Sequence, residues 1–406
     1  MVRSGLLVVL AILFVDVAGE GLLYPITPSF LQALSGGSVQ EAARLYGWSL
    51  ALYAALTLFF APVWGMLSDR YGRKPLLLLS MAGAAVGNLL TALAPGLELY
   101  FLGRAVAAVT SANLVVVNAY LVDISPPERR ARNFGLLGAV FGVGFVIGPA
   151  LGGLVGDWGL RVPFWIVAGS SAFTFTLALA LLPESLKAEN RKRTLCWLEA
   201  NPFGALAALA RYPLLRPLGW TILLSGLAMN MLVAVWIPYG AYRYGFGPTE
   251  NGLILAAFGL MAALGQGLVV PWLVPRLGER RAVVLGLGVS ALSLVLYGLA
   301  STPWVLFGAL AISALGAVDE PALQAFISRN VRSDEQGTVQ GALATIGNLM
   351  GVVGPVAGTY LFSRFTGPQA VAELPGAPFL AGAFCVALGL GIAYRTLRRF
   401  APQPSR

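Results

Sequence analysis

The chain has 406 residues, 57% of them hydrophobic and only 11% charged, with a net charge of +9 at pH 7 and no histidine. A soluble domain has about a quarter of its residues charged, so the main solvent of this chain is lipid. The positive charge lies in short turns between apolar runs, so it is not the footprint of a nucleic-acid surface.

Other chemistries are excluded by what the chain lacks. No Gly-x-x-x-x-Gly-Lys-Ser/Thr loop is present, so there is no sign of ATP-driven work. Cys196 and Cys385 stand in a polar stretch and an apolar run, which gives neither a disulfide framework nor a metal set. An intramembrane enzyme would need a nucleophile with its base, or metal ligands, and no histidine is available for either role. Proton chemistry near neutral pH falls to carboxylates in unusual surroundings.

In chain order, twelve apolar runs approach the roughly 20 residues a membrane helix needs: about 5–31, 46–67, 75–95, 98–122, 134–156, 163–183, 214–239, 250–272, 281–300, 303–325, 337–361 and 377–397. Lipid cannot satisfy open backbone, so these runs predict an all-α membrane protein of twelve helices. The first run holds Asp16 and Glu20 and lacks a small-residue cleavage site, which reads as a retained span rather than a signal peptide. With the N-terminus in the cytoplasm, 22 of the 27 basic residues fall on the cytoplasmic side, which predicts that both termini are cytoplasmic. Arg44, Arg161, Arg243 and Arg364 lie in outer turns, and Arg104 lies just inside the fourth span.

Glu184–Pro213 is the longest polar interruption. It divides the chain into six-helix halves at residues 1–183 and 214–406, joined by a cytoplasmic linker over 184–213. Within it, Asn201–Ala210 reads as a short interfacial helix or a plain tether. An internal repeat supports the division. The turn Gly65–Pro75 has a degraded copy 206 residues later at Pro271–Arg281, where Arg70, Gly72 and Lys74 meet Arg276, Gly278 and Arg280. At the same offset Asn118-Ala119-Tyr120 meets Gln324-Ala325-Phe326, Gly135 meets Gly341, and Gly148-Pro149 meets Gly354-Pro355. Two six-span repeats with a site at their midplane form a transporter architecture.

Four carboxylates lie deep in the spans. Asp16 is 12 residues past Ser4 and Asp319 is 10 before Arg329, or about 18 and 15 Å along a helix, in a hydrocarbon core about 30 Å thick. Glu20 is one turn beyond Asp16 on the same face, and Glu320 adjoins Asp319. Each such acid costs about 2.5–3.5 kcal/mol even on a lenient scale, and Asp16 and Glu20 repel if both ionise. One of the four is expected to keep its proton near neutral pH, unless the acids merely pair with Arg104 or nearby amides to fix packing. Arg104 is either the counter-ion of Glu20 or a snorkelling residue at the interface.

Gly65-Met-Leu-Ser-Asp-Arg-Tyr-Gly-Arg-Lys74 resembles the signature between helices two and three of the major facilitator superfamily. Gly144-Phe-Val-Ile-Gly-Pro-Ala-Leu-Gly-Gly153 is similar to the fifth-helix signature of its exporters. Asp16 with Gly21–Pro28, Pro321-Ala-Leu-Gln324, and Gln336-Gly-x-x-Gln-Gly341 resemble the twelve-span drug/proton antiporters, tetracycline-type exporters among them. The resemblance implies the major facilitator fold, with helices one, four, seven and ten lining a cavity, and it ties Arg104, with the four acids, to proton coupling. That would bring Asp16, Asn113, Asn118, Asn230, Asp319 and Gln324 towards one space, although such amides also join helices. Tyr24, Trp236 and Tyr239 would contact an apolar ligand or serve as interface anchors. Gly65, Asp69, Arg70, Gly72, Arg73 and Lys74, with Asp123, would form a cytoplasmic gate, with Asp69 facing the start of helix eleven. Pro275 replaces Asp69 in the second copy, so this latch is expected to be asymmetric. Gly144, Gly148, Pro149, Gly152 and Gly153 would give helix five its bend and close packing.

Three departures from the family pattern stand out. Ala108 replaces the glycine four residues after Arg104, and both Glu20 and the Asp319-Glu320 pair stand where those exporters have apolar residues. The resulting expectation is a proton-coupled exporter of small amphipathic or drug-like compounds, working by alternating access. It would be a monomer in a bacterial inner membrane, with no cofactor beyond the coupling proton, no metal and no nucleic-acid partner. The alternative is a sugar or metabolite exporter, or a lysolipid or lipid transporter, on the same fold.

Overall fold

The computed structural model describes residues 2–192, 215–332, 335–368 and 370–399, with side chains from residue 5 onward. The expected interfacial helix Asn201–Ala210, as well as Cys196, Arg193, Arg211 and Arg406, lies outside the described residues. Among the described residues every regular element is helical, and twelve segments are long and apolar enough to cross a membrane.

The helices are α1 (Val2–Leu23), α2 (Thr27–Ser35), α3 (Val39–Tyr71), α4 (Arg73–Leu93), α5 (Leu97–Thr110), α6 (Asn113–Ile124), α7 (Pro127–Gly156) and α8 (Val162–Leu181). Beyond the linker come α9 (Leu215–Tyr244), α10 (Pro248–Leu264), α11 (Val270–Leu277), α12 (Glu279–Leu299), α13 (Pro303–Gly316), α14 (Asp319–Arg329), α15 (Gln336–Arg364) and α16 (Ala377–Arg399). A π-helical turn, Gly265–Val269, links α10 to α11 within one span.

Local chemistry sets several boundaries. The Ser38 hydroxyl accepts the Glu41 N–H at 3.2 Å and starts α3. Gly72 and Gly278 each form a one-residue joint between two helices at φ +105° and +74°, a region that side chains disfavour. That requirement accounts for one glycine pair in the repeated turn.

The described residues cluster into two compact units, one of residues 2–45, 52–192 and 246–259, the other of 46–51, 215–245 and 260–399. In the first, α1 packs on α7 and α8, and α4 on α5, α6 and α8. In the second, α9 packs on α15 and α16, and α12 on α13, α14 and α16, the same scheme of partners. The core of the first unit includes Val9, Ile12, Leu77, Val116, Val117 and Tyr120. Arg161 has a structural role: both terminal nitrogens donate at 2.6 Å to the carbonyls of Ala92 and Ala94, which lie at the end of α4. This role accounts for one arginine on the side expected to be poor in basic residues.

Candidate functional site

Two spans expected to be continuous are broken near their middle. The fourth breaks at residues 111–112, between α5 and α6, and the tenth at 317–318, between α13 and α14. These positions are one repeat apart, so Asn113 and Asp319 each open the second half-helix of their span. A broken membrane helix must have its freed backbone groups satisfied by neighbours. Ser80 accepts the Ala112 N–H at 3.1 Å, and the Trp64 indole donates to the Val109 carbonyl at 2.6 Å. Half-helix ends in mid-membrane present polar groups where transporters hold ions and substrates.

In the first unit the break gathers the expected acids. The Asn113 amide donates to the Asp16 carboxylate at 2.9 Å. Among the described residues Asp16 has no cationic partner within 4.0 Å. One turn further on, Glu20 lies 3.8 Å from Arg104, a long ion pair. The Arg104 guanidinium also rests 4.8 Å from the Tyr53 ring centre, and the Tyr53 hydroxyl donates to Ser111 at 3.1 Å, in the break itself. Asn113 and Arg104 are buried, yet among the described residues Asn113 Oδ1 and Arg104 Nε have no hydrogen-bond partner. Buried polar atoms are nearly always paired, so the cluster keeps an open donor and an open acceptor beside two acids and one base.

In the second unit the adjacent acids separate. Asp319 is half-buried, accepting from Ser290 at 3.0 Å and from the Glu320 N–H at 2.6 Å, so its carboxylate sits at the start of α14 where the helix dipole favours a negative charge. Glu320 is exposed and accepts from Gln324 at 3.2 Å, one turn along α14. Asn118 is half-buried on α6, and Tyr24 is half-buried in the turn after α1. Asn230 donates to the Gly226 carbonyl of its own helix at 2.8 Å, with Gly354 of α15 packed on its side chain.

Trp236 and Tyr239, expected to contact an apolar ligand or to anchor the interface, are both buried. They are 4% and 2% exposed, and both rings pack edge-on with Phe379. Trp236 also meets Tyr297, and the Tyr239 hydroxyl donates to the carbonyls of Tyr297 and Ala300 at 3.0 and 3.2 Å, closing the end of α12. The reason is legible in the repeat. Phe30 lies one offset before Trp236 and packs in an equivalent aromatic core with Phe164 at 4.9 Å.

The Gly65–Pro75 turn is an ion-pair network. Arg73 donates to Asp69 and Ser68 at 2.6 Å each and to Asp123 at 3.1 Å. Glu184 accepts the N–H groups of Arg73 and Lys74 at 2.8 and 3.1 Å, covering the start of α4. Ser185 donates to Asp123 at 2.9 Å, and Lys192 pairs with Asp69 at 3.4 Å. Arg70 lies 5.4 Å from the Tyr71 ring centre. Glu184, Ser185 and Lys192 were missed in the sequence because their partners lie far away in the chain. The break at Asp319 did have a sequence signal: Asp-Glu-Pro is a helix-start pattern.

On α7, the glycines meet backbone. A β-carbon at Gly148 or Gly152 would fall on α1 at the carbonyl of Ala18 or Leu22, and one at Gly153 would meet Pro248 and Gly252 of α10. Gly144 faces Val17, and Pro149 lies against Gly21. A β-carbon at Gly65 by contrast would meet the Val115 side chain at 3.4 Å, an ordinary contact.

The sequence pattern of the Major Facilitator Superfamily matches residues 9–242 and again 218–406. The chain is 38% identical over 368 residues to the class G tetracycline resistance protein of Vibrio anguillarum, covering 90% of this chain and 92% of that one. It is 36% identical over 361 residues to the class C tetracycline resistance protein of Escherichia coli, covering 89% and 90%. Among solved structures, a bacterial homologue of the human lysosomal transporter Spinster, inward-facing and unoccupied, superposes with a TM-score of 0.82 at 17% identity, covering 100% of this chain and 99% of that one. On these matches, and with twelve helical spans, the chain belongs to the Major Facilitator Superfamily and is a multi-pass membrane transporter of a small molecule, not an enzyme.

Proposed function

We propose that the protein exports a small amphipathic, drug-like compound from a bacterial cytoplasm in exchange for protons. Its similarity to tetracycline resistance proteins supports the export direction and makes tetracycline the first substrate to try. The observation that carries the proton reading is the Asp16 carboxylate. It is held in mid-span by an amide rather than a cation, beside the Glu20–Arg104 pair. Such an acid is least costly when neutral, so a proton from outside would be taken up there and released when the site opens inward. In this reading the proton is the only coupling ion and no cofactor takes part. The protein acts as a monomer in the inner membrane with both termini in the cytoplasm, as the basic residues suggest. The two halves, 1–183 and 214–406, work by alternating access, and each carries a half-helix that opens in mid-span, at Asn113 in the first and Asp319 in the second.

The test is reconstitution in liposomes with an imposed pH gradient and tetracycline as probe. Tetracycline-dependent proton flux that disappears in Asp16→Asn supports the reading. Flux unchanged in both Asp16→Asn and Asp319→Asn removes these acids as carriers. Tetracycline accumulation indifferent to the gradient removes proton exchange itself.

A further inference from the structure

Two ion pairs occupy one place in the repeat with opposite polarity. In the first unit Arg73, opening α4, meets Asp123 near the end of α6 at 3.1 Å. In the second unit Glu279, opening α12, meets Arg329, closing α14, also at 3.1 Å. Residues 279 and 329 are residues 73 and 123 displaced by the repeat of 206. The contact is kept while both charges are exchanged.

Helix ends make the two versions unequal. A helix start favours negative charge and a helix end favours positive charge. Glu279 and Arg329 both stand at the favoured ends, whereas Arg73 and Asp123 both stand at the disfavoured ones. The first pair correspondingly leans on auxiliaries: Asp69 and Ser68 hold Arg73, and Glu184 covers the start of α4. The second pair has the backbone on its side.

Its position matters for Asp319. Glu279 and Ser290 are 11 residues apart on α12, and Asp319 and Arg329 are 10 apart on α14. At a helical rise these separations are about 16 and 15 Å, so Glu279–Arg329 and Ser290–Asp319 are two rungs between the same pair of helices. Between the rungs Gly286 lets the backbones close up, since a β-carbon there would lie 2.7 Å from the Asp319 nitrogen. We propose that Glu279 and Arg329 are positioning residues, whose ion pair sets the register of α14 on α12 and thereby the place of the Asp319 carboxylate.

The experiment needs no substrate. The purified full chain in detergent is treated with dicyclohexylcarbodiimide, and modification of the Asp319 and Asp16 peptides is followed by mass spectrometry alongside the melting temperature. Glu279→Gln and Arg329→Gln are each expected to change the Asp319 labelling rate about threefold, a size in keeping with a partly exposed pair, while Asp16 labels as in the wild type. The exchanged pair, Glu279→Arg with Arg329→Glu, is expected to return the Asp319 rate most of the way to the wild-type value. Single variants that label Asp319 at the wild-type rate overturn the proposal, even if they melt earlier. So does an exchanged pair no better than the singles, or an equal change at Asp16, which would mean general loosening.

Discussion

Removing the Tyr239 hydroxyl tests whether the aromatic end of α9 packs the fold or meets substrate. In the structure that hydroxyl donates to the carbonyls of Tyr297 and Ala300, at 3.0 and 3.2 Å. The Ala300 carbonyl also accepts from Tyr244 at 2.9 Å. A buried hydrogen bond contributes about 0.5–1.5 kcal/mol net, and an orphaned buried acceptor costs about 1–3 kcal/mol. Tyr239→Phe takes the tyrosine donor from Tyr297 but leaves Ala300 served, so a loss of about 1–2 kcal/mol is expected. Tyr244→Phe leaves the single Tyr239 proton shared between both carbonyls and should cost a similar amount. The double variant strips both tyrosine hydroxyls from Ala300, so its cost should exceed the sum of the singles by about 1 kcal/mol. The assay is reversible unfolding in mixed micelles titrated with sodium dodecyl sulfate, read by circular dichroism, with tetracycline transport kinetics measured on the same proteins. KM should stay within about twofold of wild type, since 1.4 kcal/mol would be needed for tenfold. A Tyr239→Phe protein as stable as wild type but with KM raised several-fold would refute the packing argument and return Tyr239 to the cavity.

Other substitutions probe the remaining contacts. Gly152→Val puts a branched side chain on the Leu22 backbone and should cost about 1–3 kcal/mol or block folding, whereas Gly138→Ala on the same helix meets no atom within 4 Å and should melt at or above the wild-type temperature; equal melting of the two would deny the α1–α7 contact. Arg161→Ala removes two charge-assisted bonds that close α4 and should lower stability by about 1.5–3 kcal/mol, with transport unchanged in the protein that remains folded. Asp69→Asn weakens the hold on both Arg73 and Lys192, so turnover should fall while tetracycline affinity is retained. A change in affinity without a change in turnover would place Asp69 in the binding site instead.

Several features were readable before any tertiary contact was known. Asp16, Glu20, Asp319 and Glu320 stand out because an ionisable group inside an apolar run of 20 residues is costly wherever the run packs. Asn113 enters the sequence reading through the family resemblance, as a residue of the fourth span; nothing in its own neighbourhood marks the start of a half-helix or the bond to Asp16. Trp236 and Tyr239 stay open between ligand contact and interface anchor in the sequence, because an aromatic near a span end can face lipid, ligand or core; in the structure their rings pack against Tyr297 and Phe379. Glu184 carries no signal in the sequence, because an acid at the start of a polar linker is unremarkable until the α4 N–H groups stand at its carboxylate.

By itself, then, the order of residues determined the spans, the repeat and the family, because lipid admits only one backbone solution for a long apolar run and the one-residue joints at Gly72 and Gly278 demand glycine. The tertiary structure decided which polar atoms meet: Asn113 with Asp16, Arg104 with Glu20, and Glu279 with Arg329. The physical reason is that each of these contacts joins separate helices, and a contact of about 3–4 Å depends on rotation and register that composition and periodicity do not carry.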